Sequence, residues 1–226
     1  LFYNNDQKKM KNFLVIGNPI DHSLSPKLHN YWIKKNKLDA FYNKKLLNKS
    51  DIDNIILKVK NEEITGVNVT VPFKKTVIPF LDELTIEAKE SQSVNTIYKK
   101  NNRIVGHNTD IAGFELGLRH FKYNVSDKKV FILGAGGVVS SIILALRRMG
   151  ASKIILANRT KQKAYDIKKS FPSVEIIDWG KIPEFNMIVN ATSVGLKKDD
   201  EIKLNYTDLG PNKFFYDVIY NPKETN

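Results

Sequence analysis

Residues 129–149 read Lys-Val-Phe-Ile-Leu-Gly-Ala-Gly-Gly-Val-Val-Ser-Ser-Ile-Ile-Leu-Ala-Leu-Arg-Arg-Met, and this stretch decides the fold. Val130 to Leu133 form a short apolar run typical of a buried strand, and the apolar residues of 138–149 recur at helical spacing. Between them, Gly134 allows a tight reversal, and Gly136 lets the backbone approach a pyrophosphate closely. The following helix offers unpaired N–H groups to an anion. The stretch therefore predicts a dinucleotide site.

The Gly-x-Gly-x-x-Gly pattern is incomplete, because its third glycine would fall at Val139. A tight strand-to-helix turn without a ligand is the alternative. A second short strand, predicted at 153–157, ends at Asn158-Arg159-Thr160. An NAD site usually has Asp or Glu here to hold the ribose 2′-hydroxyl, whereas an Arg accommodates a 2′-phosphate. The missing carboxylate therefore predicts NADP, with a purely surface role as the alternative for Arg159.

Composition bounds the class of protein. The 226 residues suffice for one large or two small domains, and 42% of them are hydrophobic. No apolar run is long enough to span a bilayer, no secretory signal opens the chain, and cysteine is absent, a combination that favours a cytoplasmic protein. Met10 opens the first patterned stretch, so we expect residues 1–9 to be an upstream extension.

The formal net charge of +12 raises the hypothesis of a nucleic-acid partner. The lysines are spread through every segment, however, so we expect them to attract anionic small molecules and predict no nucleic-acid or membrane partner. The four histidines have no metal-ligand spacing, and we predict no metal. The sequence leaves a monomer or a homodimer open.

Two hydroxyl side chains stand beside a predicted helix start in the first half of the chain. A strand is predicted at 13–16, and Ser25-Pro26 is typical of a helix beginning, with Ser25 as N-cap and Pro26 at the first helical position. Capping is the structural alternative to a binding role for Ser25, and Ser23 has no such alternative. Hydroxyls in this position can hydrogen-bond a carboxylate or a hydroxyl of a ligand.

A polar strand end follows at residues 66–74, Gly-Val-Asn-Val-Thr-Val-Pro-Phe-Lys. The valines alternate with Asn68 and Thr70, which predicts a strand with one apolar and one polar face. Pro72 ends the strand and opens a helical turn that carries Lys74. Open α/β sheets bind ligands at strand ends, and an ammonium there can polarise a carbonyl or transfer a proton. A solvated surface charge is the alternative for Lys74.

A further group of short polar residues surrounds a predicted hairpin. Asn95 precedes it, and Thr109 and Asp110 follow it. Capping of a helix over 111–121 is the structural alternative for Asp110, although a carboxylate at a helix start can still orient a lysine. Strands alternate with helices along the chain, with the last strand predicted at 214–219, so we expect a parallel sheet in each half and a hinge near Asp110.

Eight motifs occur together and in order between residues 13 and 222, and their set resembles shikimate dehydrogenases. They are Gly17-x-Pro-Ile-x-His-Ser-x-Ser-Pro26, Asn68-Val-Thr-Val-Pro-Phe-Lys74, Val94-Asn-Thr96, Gly106-x-Asn-Thr-Asp110, Gly134-Ala-Gly-Gly137, Asn158-Arg-Thr160, Asn190-Ala-Thr-Ser193 and Asp217-x-x-Tyr220-Asn-Pro222. Members of that family continue past the last motif with a further segment that this sequence does not contain.

The resemblance implies an α/β fold of two domains, with the active site in the cleft between them. Residues 1–110 would form the α/β substrate domain, and residues 111–226 the Rossmann-type NADP-binding domain. The implied activity is the reversible NADPH-dependent reduction of 3-dehydroshikimate to shikimate, in the pathway to aromatic amino acids. An NAD-preferring quinate/shikimate dehydrogenase and a noncatalytic sensor of a shikimate-type ligand are the alternatives.

The resemblance also implies roles for individual residues. Lys74 and Asp110 would be the catalytic acid–base pair. Substrate would be bound by Ser23, Ser25, Thr70, Asn95 and Tyr220. The cofactor would be bound by Gly134, Ala135, Gly136, Gly137, Val138, Asn158, Arg159, Thr160, Thr192 and Val218.

Overall fold

The computed structural model describes residues 10–196, 200–206 and 209–222. The predicted extension, residues 1–9, lies outside this part of the chain. The chain divides into two compact units, Leu1–Asn108 and Thr109–Asn226. The predicted boundary between the two domains lies after Asp110. The boundary between the two compact units lies between Asn108 and Thr109.

The first unit contains six strands and three α-helices in its described residues. In chain order they are β1 (Lys11–Gly17), α1 (Ser25–Lys35), β2 (Ala40–Leu46), α2 (Ile52–Lys60), β3 (Gly66–Val69), β4 (Glu83–Leu84), α3 (Ile86–Ser91), β5 (Thr96–Lys100) and β6 (Arg103–His107). Short 3₁₀ turns occur at Lys49–Asp51 and Ile78–Phe80.

The sheet of the first unit is mixed, with strand order β2-β1-β3-β5-β6-β4. Strand β1 is parallel to β2 and β3, whereas β5 is antiparallel to both β3 and β6. The expectation of a parallel sheet is therefore wrong for this half. For β5 and β6 the antiparallel pairing follows from the turn Asn101-Asn102, in which both residues have positive φ (48° and 62°). A turn of two such residues joins antiparallel strands directly, and a parallel connection needs a crossover.

The core of the first unit lies between the sheet and helix α2. Val67 and Val69 of β3 are buried, while Asn68 between them is half-buried on the other face, as the alternation predicts. Ile52, Ile55, Ile56 and Val59 give α2 an apolar face that packs in the same cluster. The polar face of β3 therefore remains available for a site.

The second unit contains five strands and three helices in its described residues. They are α4 (Asp110–His120), β7 (Lys129–Leu133), α5 (Val139–Arg148), β8 (Lys153–Ala157), α6 (Lys161–Ser170), β9 (Glu175–Ile177), β10 (Met187–Asn190) and β11 (Phe214–Asp217). All strands pair in parallel in the order β11-β10-β7-β8-β9. The prediction of a parallel sheet is confirmed for this half.

The strand order of the second unit places a topological switch point between β7 and β10. From β7 the chain runs to β8 and β9 on one side, then crosses to β10 and β11 on the other. In open α/β sheets, ligands bind at the carboxyl ends of the strands that flank such a point. Here Leu133 pairs with Asn190. The glycine turn and the segment after Asn190 therefore lie side by side at the expected binding edge.

Several predicted element ends are wrong by one or two residues; β1, predicted at 13–16, runs over Lys11–Gly17. Ser25 is the first residue of α1, and the N-cap is Leu24, whose backbone is already near-helical. Asp110 is likewise the first residue of α4, with Thr109 as N-cap, and neither cap position makes a side-chain capping bond. Strand β11 ends at Asp217 because its Oδ1 accepts a hydrogen bond from Ile219 N at 2.8 Å and turns the chain.

Candidate active site

The glycine turn after β7 contains two glycines with different physical requirements. Gly134 has φ +105°, and a Cβ there would lie 2.7 Å from the carbonyl oxygen of Ala191, so packing alone demands glycine. A Cβ on the exposed Gly136 would meet only that same oxygen, at 3.9 Å, which is ordinary contact. Nothing in the described part of the chain requires glycine at 136. The open backbone there fits the approach of a pyrophosphate.

The N-terminus of α5 is suited to an anion. No side chain caps it, and its first turn contains no acidic residue. Val139, which occupies the third-glycine position, is fully buried in the core. Valine can therefore replace the third glycine of the pattern, because its side chain packs in the apolar core on the far side of the turn. Ala135, Gly137 and Val138 are half-buried at the turn itself, where backbone N–H groups and the helix dipole favour phosphate.

The loop after β8 contains Arg159, a cation without an ion-pair partner among the described residues. Asn158 Nδ2 donates to the carbonyl oxygen of Thr160 at 2.7 Å and closes the loop, leaving Arg159 and Thr160 exposed. Within the described residues no carboxylate forms an ion pair with Arg159. Asp178, which follows β9, is paired with Lys161 at 2.6 Å, and this hydrogen bond holds the pKa of Asp178 below its ordinary value. The loop thus suits a 2′-phosphate better than a 2′-hydroxyl.

Asn190 organises the third part of this binding edge. Its Oδ1 accepts from Thr192 N at 3.1 Å and from Thr192 Oγ1 at 2.7 Å. Its Nδ2 donates to Val194 O at 3.2 Å and to Asp217 Oδ2 at 3.0 Å. The backbone oxygen of Asn190 also accepts from Val218 N at 3.1 Å. Asn190 therefore fixes both segments that carry the predicted contacts Thr192 and Val218.

Asn190 and Asp217 belong to two of the sequence motifs, but the motifs alone predict no role for either residue. Both are half-buried polar residues at the ends of neighbouring strands. Their position at strand ends was a usable signal, because unpaired polar groups are costly there and must find partners. Their partners, however, depend on the pairing of β10 with β11.

Lys74 of the first unit is buried, with 9% of its surface exposed, so the alternative of a solvated surface charge is wrong. The turn that follows β3 holds Lys74 in this buried position. Phe73 N donates to Thr70 O at 2.9 Å, and Val77 N donates to Phe73 O at 3.0 Å, as the predicted helical turn requires. Val94 N donates to Lys74 O at 2.8 Å and ties this turn to the segment before β5.

Thr70 and Asn95 lie on adjoining strand ends. Thr70 N donates to Ile16 O at 2.9 Å, and a Cβ on Gly17 would lie 2.5 Å from the Thr70 methyl group, so glycine at 17 permits this approach. Asn95 O accepts from Val69 N at 2.8 Å. Both side chains are half-buried at the same edge of the sheet. The structure therefore brings Thr70, Lys74 and Asn95 together in one connected group of segments.

The remaining predicted substrate residues are distributed as follows. Ser23 and Ser25 are half-buried at the start of α1, and Ser23 Oγ accepts from Ser25 N at 3.3 Å, so the local capping role belongs to Ser23. Asp110 is half-buried in the first turn of α4, where its charge complements the helix dipole. Tyr220 is exposed beyond β11.

Among the described residues no three His, Asp or Glu side chains are grouped so that they could hold a metal ion. In the same part of the chain, every helix is too short or too polar to cross a membrane.

The parallel sheet, its switch point and the glycine turn define the class: a protein with a Rossmann-type dinucleotide-binding domain joined to a second α/β unit. Two family models match, "Shikimate dehydrogenase substrate binding domain" at residues 15–97 and "Shikimate / quinate 5-dehydrogenase" at residues 115–196. With the relatives described next, this shows that the chain belongs to the shikimate dehydrogenase family.

Similar proteins support this membership over nearly the whole chain. The shikimate dehydrogenase (NADP(+)) of Pelagibacter ubique is 62% identical over 216 residues, which cover 96% of this chain and 82% of that protein. The Aquifex aeolicus shikimate dehydrogenase structure has a TM-score of 0.87 at 38% identity and covers 96% of this chain and 81% of its own. A shikimate dehydrogenase solved in complex with NADP+ has a TM-score of 0.89 at 31% identity, with coverages of 96% and 79%.

Proposed function

We propose that this chain is an NADP-dependent oxidoreductase that catalyses the reversible reduction of 3-dehydroshikimate to shikimate, in the route to aromatic amino acids. The observation that carries the proposal is 62% identity to a shikimate dehydrogenase (NADP(+)) over 96% of the chain. The buried Lys74 and the glycine turn supply the two functional requirements, a proton donor for a developing alkoxide and a support for a dinucleotide.

The described residues fit NADP. The turn from Gly134 to Gly137 and the first turn of α5 would hold the pyrophosphate, because they offer N–H groups and no competing carboxylate. Arg159 and Thr160 would hold the 2′-phosphate, and Arg159 is exposed without an ion-pair partner in the described part of the chain. When bound, the reduced nicotinamide supplies a hydride. The Asn190 network would keep Thr192 and Val218 in place beside it.

A polyhydroxylated ring acid needs several short polar partners. Ser23 and Ser25 would bind the carboxylate at the start of α1, where the helix dipole also favours an anion. Thr70, Asn95 and Asp110 would bind ring hydroxyls, and Tyr220 would contact the substrate. Sites that hydrogen-bond a hydroxyl discriminate strongly against analogues lacking it, because their own polar groups are left unpaired.

Lys74 would act as the general acid of the reduction. As the carbonyl carbon at C3 gains a hydride, negative charge develops on its oxygen, and the Lys74 ammonium stabilises that charge and donates a proton to the oxygen. In the reverse direction the neutral amine accepts the hydroxyl proton. Asp110 would be the acidic member of the proposed acid–base pair.

The decisive experiment supplies shikimate and NADP to the purified chain and follows absorbance at the reduced-nicotinamide band. We expect reduction of NADP with shikimate, and weaker reduction of NAD. Two observations support the quinate/shikimate alternative: the second matching family includes quinate 5-dehydrogenases, and a Listeria monocytogenes shikimate 5-dehydrogenase was solved with shikimate and NAD. Quinate and NAD therefore serve as controls. Binding of shikimate without any absorbance change would favour the noncatalytic sensor.

We further propose a cytoplasmic enzyme, monomeric or homodimeric, that acts on small molecules without a nucleic-acid or membrane partner. Several of its many lysines form ion pairs, including Lys99–Glu62, Lys161–Asp178 and Lys169–Asp166. These ion pairs support a positive charge that is dispersed over the surface rather than clustered in a patch that binds nucleic acid. Size-exclusion chromatography with light scattering measures the oligomeric state. Salt-dependent retention on DNA would contradict the absence of a nucleic-acid partner.

A further inference from the structure

Three polar residues are buried together in the first unit at the carboxyl end of α3. Ser91 and Asn108 are each 1% exposed, and Ser93 is fully buried. Asn108 Nδ2 donates to the backbone oxygen of Ser93 at 2.8 Å and to Ser91 Oγ at 3.2 Å. Because a carbonyl oxygen can only accept, the Asn108 amide must turn its nitrogen toward Ser93. The orientation of this amide therefore follows from its contact with the backbone.

The Ser93 carbonyl group depends on Asn108 more than on the neighbouring Ser91. The Ser91 hydroxyl lies 3.2 Å from Ser93 O, but it lies only 2.6 Å from the backbone oxygen of Glu87, and it has a single proton. The shorter contact has the better geometry, and serines in helices often donate to the carbonyl group four residues earlier. Loss of the Asn108 donor would therefore weaken the hold on a buried carbonyl group.

A three-residue segment, 93–95, connects this buried amide to the proposed catalytic lysine. Asn108 holds the carbonyl group of its first residue. Val94, its second residue, donates its backbone N–H to Lys74 O at 2.8 Å. Its third residue, Asn95, is hydrogen-bonded through its backbone to β3 and to β6. Both neighbours of Val94 are thus anchored, and this determines where Val94 holds the backbone of Lys74.

We infer that Asn108 is a positioning residue: by holding the 93–95 segment it sets the place of the Lys74 backbone, and with it the reach of the proposed proton donor. This inference rests on the proposed function and gives a role to a residue of the Gly106-x-Asn-Thr-Asp110 motif for which the sequence alone predicts none. A buried, hydrogen-bonded polar network restricts a site to one arrangement. Catalysis is sensitive to that arrangement, because a misplacement of about 1 Å can lower a rate roughly a hundredfold.

The first test replaces Asn108 by Asp in the whole chain, which keeps the shape of the side chain and removes its N–H groups. A protonated carboxyl group can donate to Ser93 O as the amide does, whereas a carboxylate cannot. Above about pH 9, where even a buried carboxyl group is largely ionised, we expect kcat for shikimate oxidation to be roughly tenfold below that of the wild type. The ratio of the variant kcat to the wild-type kcat should rise as the pH falls. The affinity for NADP should not change.

Asn108→Ser is the second variant, because serine is smaller and uncharged and is therefore tolerated more readily. Its hydroxyl ends one bond nearer to the backbone than the amide nitrogen, so it does not span the distance to Ser93 O. We expect a similar fall in kcat at every pH. Val59→Ala is the control, since it destabilises the buried face of α2 in the same unit without removing a hydrogen bond of the 93–95 segment. It should lower the free energy of unfolding and leave kcat unchanged.

Amide hydrogen exchange, measured by NMR, provides a readout that does not depend on catalysis. The Val94 N–H should exchange faster in Asn108→Ser, relative to the amides of β1, because its bond to Lys74 O is loosened. Unchanged relative exchange, or an equal loss of kcat in Val59→Ala, would overturn the positioning role. Normal kcat in both Asn108 variants would do the same and leave the proposed function intact. A wild-type chain that does not oxidise shikimate would overturn the proposed function, and the exchange measurement would still decide whether Asn108 holds the 93–95 segment.

Discussion

The side chains of Asn190 and Asp217 are joined by a hydrogen bond of 3.0 Å at the ends of two neighbouring parallel strands. Asp217 Oδ1 accepts at the same time from Ile219 N, and Asn190 Oδ1 accepts from Thr192. One amide and one carboxylate therefore determine how the chain leaves both β10 and β11. The segments beyond these strands carry two of the proposed cofactor contacts.

Replacing Asp217 by Asn tests this pair. Asparagine has one acceptor oxygen in place of two, so either the Asn190 or the Ile219 contact must be lost. We expect the free energy of unfolding to fall by about 1–3 kcal/mol, the cost of an unsatisfied half-buried polar group. Urea denaturation measures the change. Asp127→Asn, the same replacement at an exposed residue, is the control and should be neutral, and an equally neutral Asp217→Asn would contradict the interpretation.

Lys74→Ala should lower kcat far more than it raises KM, because the proposed proton transfer and charge stabilisation occur mainly in the transition state. We expect a loss of roughly 10²–10⁴-fold in kcat, the usual contribution of a positioned acid. Lys75→Ala is the matched control, since that neighbouring lysine is exposed. A raised KM with kcat intact would move Lys74 to a binding role.

Arg159→Ala should weaken NADPH much more than NADH, because only NADPH carries the 2′-phosphate that the guanidinium would contact. A charge-assisted hydrogen bond contributes about 1.5–3 kcal/mol, which predicts at least a roughly tenfold loss of NADPH affinity. Calorimetric titration with both nucleotides measures it. Arg147→Ala, at an exposed arginine in the last turn of α5, should change neither affinity. Unchanged NADPH binding in Arg159→Ala would refute the assignment.

Gly134→Ala and Gly136→Ala should separate folding from binding. The first places a Cβ 2.7 Å from Ala191 O at φ +105°, so we expect it to destabilise the fold by more than about 1 kcal/mol. The second has room for its methyl group and should leave Tm unchanged while weakening NADP. Thermal unfolding and nucleotide titration of both variants provide the comparison. A Gly136→Ala variant with normal NADP affinity would count against a pyrophosphate at that position.

His29 should make stability depend on pH. Burial against Tyr42 lowers the pKa of the His29 imidazole, so between that lowered pKa and the ordinary value of 6.5 the unfolded chain binds the proton and the folded chain does not. Stability contributed by the neutral ring is thus present above 6.5 and is lost as pH falls through this window. Urea unfolding across the window should show a smaller pH dependence for His29→Gln than for the wild type, with the exposed His120→Gln as control.

Sequence patterns predicted the parts of this structure that depend on neighbouring residues. The strand at Val130–Leu133, the turn at Gly134 and the helix after it are local features, and the structure has all three. The burial of Lys74 could not be read from the sequence, because a lysine among many lysines has no local mark of burial.

What the sequence left undecided depends on pairing between distant residues. Asn68 contacts Thr96 only because β3 and β5 pair in one particular register, and it contacts Tyr42 only because β1 lies between β2 and β3. The predicted cap at Ser25 failed for a related reason. Leu24 already has near-helical backbone angles, so the helix begins one residue earlier than Ser-Pro chemistry alone suggests.

The Asn101-Asn102 turn has a consequence for how much this chain can vary in length. Because two left-handed residues close the hairpin, Thr96 faces His107, and Asn95 N donates to His107 O at 3.0 Å. Inserting a single residue at the turn would slip the register by one and send every side chain of β6 to the opposite face of the sheet. Homologous sequences should therefore keep Asn, Asp or Gly at these two positions and show few insertions or deletions beside them.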